Sequence, residues 1–233
     1  MFSCNVLRTF TRSVAVAGAI VIGFASTNAF ADSVNVFLTA RTGSGDEVGV
    51  AVNLLDVGGD VKFSAEVQEI PGLIPGEGDI LALWFDVASS VNLANVTHAA
   101  PYDPPSLEFK ITGFEKGHDT IGSAPWGGNP NINGMPAPFD ASTKYDMAIK
   151  IGSNGAPPGD YFPKISFMFT NISVADFVGG RMAARVTSIG DTGDSGKYAA
   201  WVPDNPPVVP TPSAALGGLA LLGFAGLHRR KMA

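Results

Sequence analysis

The chain has 233 residues, 45% of them hydrophobic and 15% charged, with a formal net charge of −6. Residues 32–209 hold all 21 acidic residues but only ten of the fifteen basic ones, a local net charge of −11. Phosphate backbones are bound through Lys and Arg, so this balance argues against nucleic acid as a partner and suits a soluble, cation-tolerant surface.

At the N-terminus, Arg8 and Arg12 precede the apolar run VAVAGAIVIGF (14–24), and Ala29-Phe30-Ala31 follows just ahead of Asp32. A positive start, a short apolar stretch and a small-x-small site are the parts of a secretory signal, so residues 1–31 are expected to be removed by cleavage after Ala31, with Ala29 and Ala31 forming the recognition site. The alternative, a buried helix of the domain, requires a polar face that this segment lacks. The only cysteine, Cys4, lies inside the signal, so the exported chain must hold itself together without disulfides. The 178 residues from 32 to 209 suit one domain and can bury around 70% of the unfolded surface.

From Asp32 onward period-two alternation dominates. Val34-Val36-Leu38 and Val48-Val50-Val52-Leu54 open the series, and in residues 60–69 Val61, Phe63, Ala65 and Val67 interleave with Lys62, Ser64, Glu66 and Gln68. Apolar residues therefore line one pleat face and polar residues the other. The run 80–85 (ILALWF) is apolar throughout, as in a strand covered on both faces. Further strands are expected at 93–98, 107–111, 145–151, 165–169, 181–190 and 197–202. Turn-formers separate them: GSGDE at 43–47, VGG at 57–59, PGEG at 75–78 and PYDPP at 101–105. Ser173 with Asp176 three residues on predicts a single capped helical turn. Residues 116–142, with seven Gly and Pro between 124 and 138, read as a long loop.

Roughly ten short strands with this punctuation predict an all-β fold, an antiparallel β-sandwich of jelly-roll or immunoglobulin-like kind over 32–202. Residues 203–212 then form a Pro-rich spacer that lifts the domain off a membrane.

The chain closes with Pro210-Thr211-Pro212, an uncharged run SAALGGLALLGFAGL (213–227), and His228-Arg229-Arg230-Lys231. As a helix the run is roughly 22 Å long against about 30 Å of bilayer hydrocarbon, a poor match for a permanent span. The basic cluster prefers the cytoplasmic side, which leaves the middle of the chain outside. This arrangement of Pro210, Thr211, Pro212, an apolar Gly-rich helix and Arg229, Arg230, Lys231 resembles the PEP-CTERM sorting tail, with Thr211 where that family usually has Glu. The resemblance implies a bacterial host, recognition by an exosortase (a membrane-embedded cysteine transpeptidase) and cleavage near the motif. Residues 213–233 are thus expected to be a transmembrane sorting tail, with a plain C-terminal anchor as the alternative.

Few residues carry chemistry. Outside the tail the only histidines are His98 and His118, and no G-x-S-x-G motif accompanies them, so each reads as a lone surface histidine rather than a catalytic base. His118-Asp119 offers too few ligands at useful spacing for zinc. No carboxylate pair sits in a glycosidase-like motif. Calcium has a candidate site in the oxygen-rich loop DTGDSG (191–196), through Asp191 and Asp194, against the alternative of an ordinary polar turn; GSGDE (43–47) is a second such cluster. Trp126 in the long loop and Tyr102 in the PYDPP turn are candidate glycan contacts, since sugar faces stack on exposed rings. Trp84, in the most apolar strand, reads as core. Asn95 and Asn171 head glycosylation triplets, but both lie in or beside expected strands and a tail of bacterial type argues against that modification. The expected function is that of a non-enzymatic, exported structural or adhesive protein associated with extracellular polysaccharide, shown on the cell surface or released to the matrix. The alternatives are a carbohydrate-binding module and a secreted hydrolase.

Overall fold

The computed structural model describes residues 33–43, 48–69, 77–99, 109–140, 142–152, 161–189 and 193–204. The proposed signal (including Ala29 and Ala31), Tyr102, Asp191 and the whole tail from Pro210 to Lys231 lie outside these residues.

Among the described residues ten strands form a single antiparallel sheet: β1 (Ser33–Gly43), β2 (Val48–Val57), β3 (Asp60–Glu69), β4 (Asp79–Phe85), β5 (Thr97–Ala99), β6 (Ile111–Ile121), β7 (Tyr145–Ile151), β8 (Lys164–Thr170), β9 (Arg181–Ile189) and β10 (Asp194–Trp201). Their order across the sheet is β5-β8-β3-β2-β1-β10-β9-β4-β7-β6. The sheet curls because β1 serves two neighbours. Ser33–Leu38 pair with β2, whereas Thr39–Gly43 pair with β10 across a register shift between Ala40 and Thr42. An extra residue at such a point bends a strand and adds twist. Among the described residues there is no α-helix, and no helix long and apolar enough to cross a membrane.

Local sequence explains the elements that alternation predicts. In β3 Val61, Phe63, Ala65 and Val67 are at most 1% exposed, and the residues between them face outward. The β2–β3 connection is a two-residue turn: Val57 pairs with Asp60, and Gly58 and Gly59 take φ of +66° and +98°. Both positions need φ > 0 in the turn whose twist matches the strands, and glycine adopts it without strain. The expected helical turn is a 3₁₀ turn at Val174–Phe177, in which the Asp176 carboxylate accepts hydrogen bonds from the Ser173 N–H (2.9 Å) and hydroxyl (2.7 Å).

The main core lies inside the curl. Phe63 of β3 stacks on Phe167 of β8 at 4.8 Å and meets Phe85 of β4 edge-on at 5.3 Å, and Phe85 meets Phe169 at 5.4 Å. Rings from the two halves of the sheet therefore interlock, each pair adding about 0.5–1.5 kcal/mol beyond area burial. Strand β4 is buried along its whole length, as its unbroken apolar run predicts. Its other face carries a second core, where Ala82 and Trp84, with Ala148, Ala183 and Ala199 of neighbouring strands, lie under Ile132, Met135 and Phe139 of the long loop.

Three expectations are corrected. Residues 93–96 are turns rather than strand, and only Thr97–Ala99 pair, with β8. Asn92 is the cause: its side-chain oxygen accepts the Ala94 N–H at 3.2 Å, the local bond by which Asn favours turns over ladders. Second, the strand expected at 107–111 begins only at Ile111 and runs to Ile121, with Phe109 and Lys110 outside it and 107–108 outside the described residues, so the loop starts at residue 122 rather than 116. β6 is an edge strand with irregular pairing to β7, half-exposed on both faces, so its sequence FEKGHDT shows no alternation. Third, the histidines are not bare surface residues. Side chains of β6 reach the segment ahead of β5 and close the sheet's two outer edges: Lys116 Nζ donates to the Ala94 (3.0 Å) and Val96 (2.5 Å) carbonyls, and His118 Nε2 lies 2.8 Å from the Val91 carbonyl. His98 packs edge-on against Phe114, centroids 5.1 Å apart.

His98 gives a pH prediction. Burial, and secondarily the Lys116 ammonium, hold its imidazole below the usual value of 6.5. Below that value the unfolded chain takes up a proton that the folded chain resists, so stability is lost as pH falls through the window just under 6.5. The melting temperature of the unaltered protein should fall more steeply between about pH 7 and pH 5 than that of His98→Gln. Parallel curves would show that His98 does not drive the loss.

Candidate functional site

The outward face of β1, β2, β3 and β8 carries the polar half of the alternation. Register places these side chains in two rows that run across the strands. The first is Asn35, Asn53, Ser64 and Ser166; the second is Phe37, Ala51, Glu66 and Lys164. At 4.7–4.9 Å between strands, each row spans about 14 Å.

Within the first row Asn53 Nδ2 donates to Asn35 Oδ1 at 2.9 Å, and the hydroxyls of Ser64 and Ser166 lie 3.2 Å apart. That bond orients both amides and leaves Asn35 its NH₂ and Asn53 its carbonyl oxygen, a donor and an acceptor side by side. In the second row Lys164 Nζ is 3.3 Å from the Glu66 carboxylate. The small residues Ala51 and Ser64 form a floor between larger neighbours, and with Asn35, Asn53, Lys62, Glu66, Gln68 and Lys164 they line an open groove of about 630 Å³. Phe37 is half-buried at its margin. Its ring leans over Gly49, where a Cβ atom would come within 2.4 Å of it, so a side chain at position 49 would push the ring out of place.

A smaller cleft of about 340 Å³ contains Asp86, Ser89, His118, Asp119 and Asp146. Its buried groups are tied into the fold. Asp146 accepts the Val87 N–H at 2.9 Å and the Asp119 N–H at 2.7 Å, and its Oδ1 is 3.4 Å from His118 Nδ1. With His118 Nε2 held against the Val91 carbonyl, the ring has no free nitrogen to aim at a nucleophile. Among the described residues, no three His, Asp or Glu side chains converge on a point that could hold a metal ion.

Trp126, a candidate glycan contact, is half-buried in the second core, its ring centroid 6.1 Å from that of Trp84. Its indole N–H is buried without a hydrogen-bond partner. Trp84 is core, as expected, and its N–H donates to the Gly122 carbonyl at 3.2 Å. Asp194 opens β10 opposite Ile189; its proposed calcium partner Asp191 lies outside the described residues. The groove residues Asn35, Phe37, Asn53, Glu66 and Gln68 are ones that sequence reasoning missed. One signal was available: Phe37 stands in the polar phase of β1, where an aromatic ring breaks the alternation.

No family model, no curated protein and no solved structure matches the chain. The fold and the groove define an all-β domain with an open, amide-rich face on one half of a curled sheet.

Proposed function

We propose that the chain is an exported structural or adhesive protein that holds extracellular polysaccharide in the β1–β2–β3–β8 groove. The observation that carries this reading is the pair of cross-strand rows, with oriented amides and hydroxyls beside a half-buried aromatic ring over a floor of small residues. Such a surface offers a neutral sugar chain hydrogen bonds for its hydroxyls and a ring for its apolar face, without a group poised for bond cleavage. The same architecture is read as a β-sandwich of jelly-roll or immunoglobulin-like kind, with β1 shared between the leaves; the support is the interlocking of Phe63 with Phe85 across the core. On this reading the signal delivers residues 32–202 outside the cell. The 203–212 spacer presents them, and an exosortase-like enzyme processes the tail at Pro210-Thr211-Pro212.

The test is retention on immobilised neutral polysaccharides and a glycan array, using the full chain in mild detergent. Asn53→Ala removes both the acceptor and the group that orients Asn35, and should weaken binding about tenfold; Gly49→Val, by displacing Phe37, should do likewise. Unchanged affinity in both variants, with their melting curves intact, would sink the groove as the site.

A further inference from the structure

On the opposite half of the sheet, basic side chains gather in a domain that is otherwise strongly acidic. Lys197 of β10 and Arg185 of β9 stand directly opposite each other in the ladder, hence on one face. Two like charges in that position repel, and the guanidinium helps hold the Lys197 ammonium below its usual range, after burial itself; the only acceptor that ammonium meets among the described residues is the neutral Asn133 carbonyl of the long loop. Arg185 donates to the Ser195 hydroxyl at 3.0 Å, and its Nε is buried without a hydrogen-bond partner. Arg41 of β1 is exposed beside them; its Nε donates to the Ala199 carbonyl at 3.2 Å, and its guanidinium lies 5.1 Å from the Phe139 ring centroid. Phe139 in turn packs against Trp201, centroids 6.0 Å apart, and Trp201 is 52% exposed.

From Trp201 to Lys197 is four residues of strand, roughly 13 Å, the length of a short sugar segment. An exposed indole at one end and a repelling pair of cations at the other is an arrangement that an anionic ligand would relieve.

We infer that this margin, where the long loop meets β1 and β10, binds a carboxylated polysaccharide. One sugar stacks on Trp201, and uronate carboxylates are held by Arg41, Lys197 and Arg185. The inference rests on the polysaccharide-binding reading above and adds a second face with its own charge preference.

The probes are alginate as polyuronate, dextran as neutral control and single-stranded DNA as a non-sugar polyanion, tested on the full chain in mild detergent. Alginate should bind with an affinity that falls as salt rises, and more tightly than either control. Arg41→Gln and Lys197→Gln should each weaken alginate about tenfold and leave dextran unchanged. Trp201→Ala, on an exposed side chain, should weaken alginate while the fold remains. Asn53→Ala in the other groove should leave alginate binding at this margin intact. Equal binding of DNA and alginate would overturn the inference in favour of a non-specific polyanion surface. Alginate binding lost in Asn53→Ala but kept in the margin variants would overturn it while leaving the groove standing. Retention on no polysaccharide at all would remove both.

Discussion

Replacing Arg181 with Met is expected to destabilise the domain by about 3–5 kcal/mol, the range for breaking a buried ion pair by removing one partner. Arg181 is the tie between the sheet and the long loop. Its guanidinium pairs with Asp86 through Nε and, at 3.1 Å, through Nη2; Nη1 donates to the Pro138 carbonyl at 2.8 Å, and Nη2 to the Lys144 carbonyl at 2.7 Å. The same group lies 4.7 Å from the centroid of the Tyr145 ring. Its side chain is 10% exposed and that of Asp86 16%, so water cannot replace what is lost. Lysine is no substitute here, because one ammonium cannot reach four acceptors held in a planar fork. For a domain of this size the loss corresponds to roughly 6–20 °C in melting temperature.

The double variant Arg181→Met, Asp86→Ala should recover part of it. Burial raises the Asp86 carboxyl above its ordinary 3.8, outweighing the lowering by Arg181, so the carboxylate left alone is the costly species. Thermal melts of the two variants settle the matter. A single variant within 1 kcal/mol of the parent would mean that the loop is held by its apolar contacts alone.

The second large effect is expected at Trp84. Its ring is fully buried between the sheet and the loop, with Trp126 and three loop residues (Ile132, Met135 and Phe139) in the same cluster. Trp84→Ala should cost about 3–5 kcal/mol, since the alanine-lined floor cannot collapse into the space. Residues 122–144 should also become the first site of limited proteolysis, because that segment would lose its partner on the sheet. Trp126→Ala, at the half-exposed rim, should cost less than half as much. Cleavage that begins elsewhere in Trp84→Ala would show that the loop does not depend on this ring.

Several elements were legible in the linear order of residues because their cause is local. Alternation in 60–69 and 145–151 records which side of a pleat each residue faces, and β3 and β7 span those very residues. Gly58-Gly59 encodes its own turn, and Ser173 with Asp176 its own cap. The long apolar run at 80–85 announced a strand covered on both sides. It could not say by what, because the cover comes from residues some fifty positions later in the chain.

What only the tertiary structure decided is non-local. The rows Asn35-Asn53-Ser64-Ser166 and Phe37-Ala51-Glu66-Lys164 exist because β8 returns to pair with β3, a partnership that no period-two pattern specifies. The extension of β6 to Ile121 was hidden for the converse reason: an edge strand exposed on both faces has no buried face to imprint on its sequence. His98 and His118 looked like surface residues because what half-buries them, Phe114 and the Val91 carbonyl, comes from the other outer edge of the sheet. Alternation by itself determined that this is a β protein with one apolar and one polar face per strand. Which polar residues share a groove was set by strand order and register, since those alone bring side chains distant in sequence to within about 5 Å of each other.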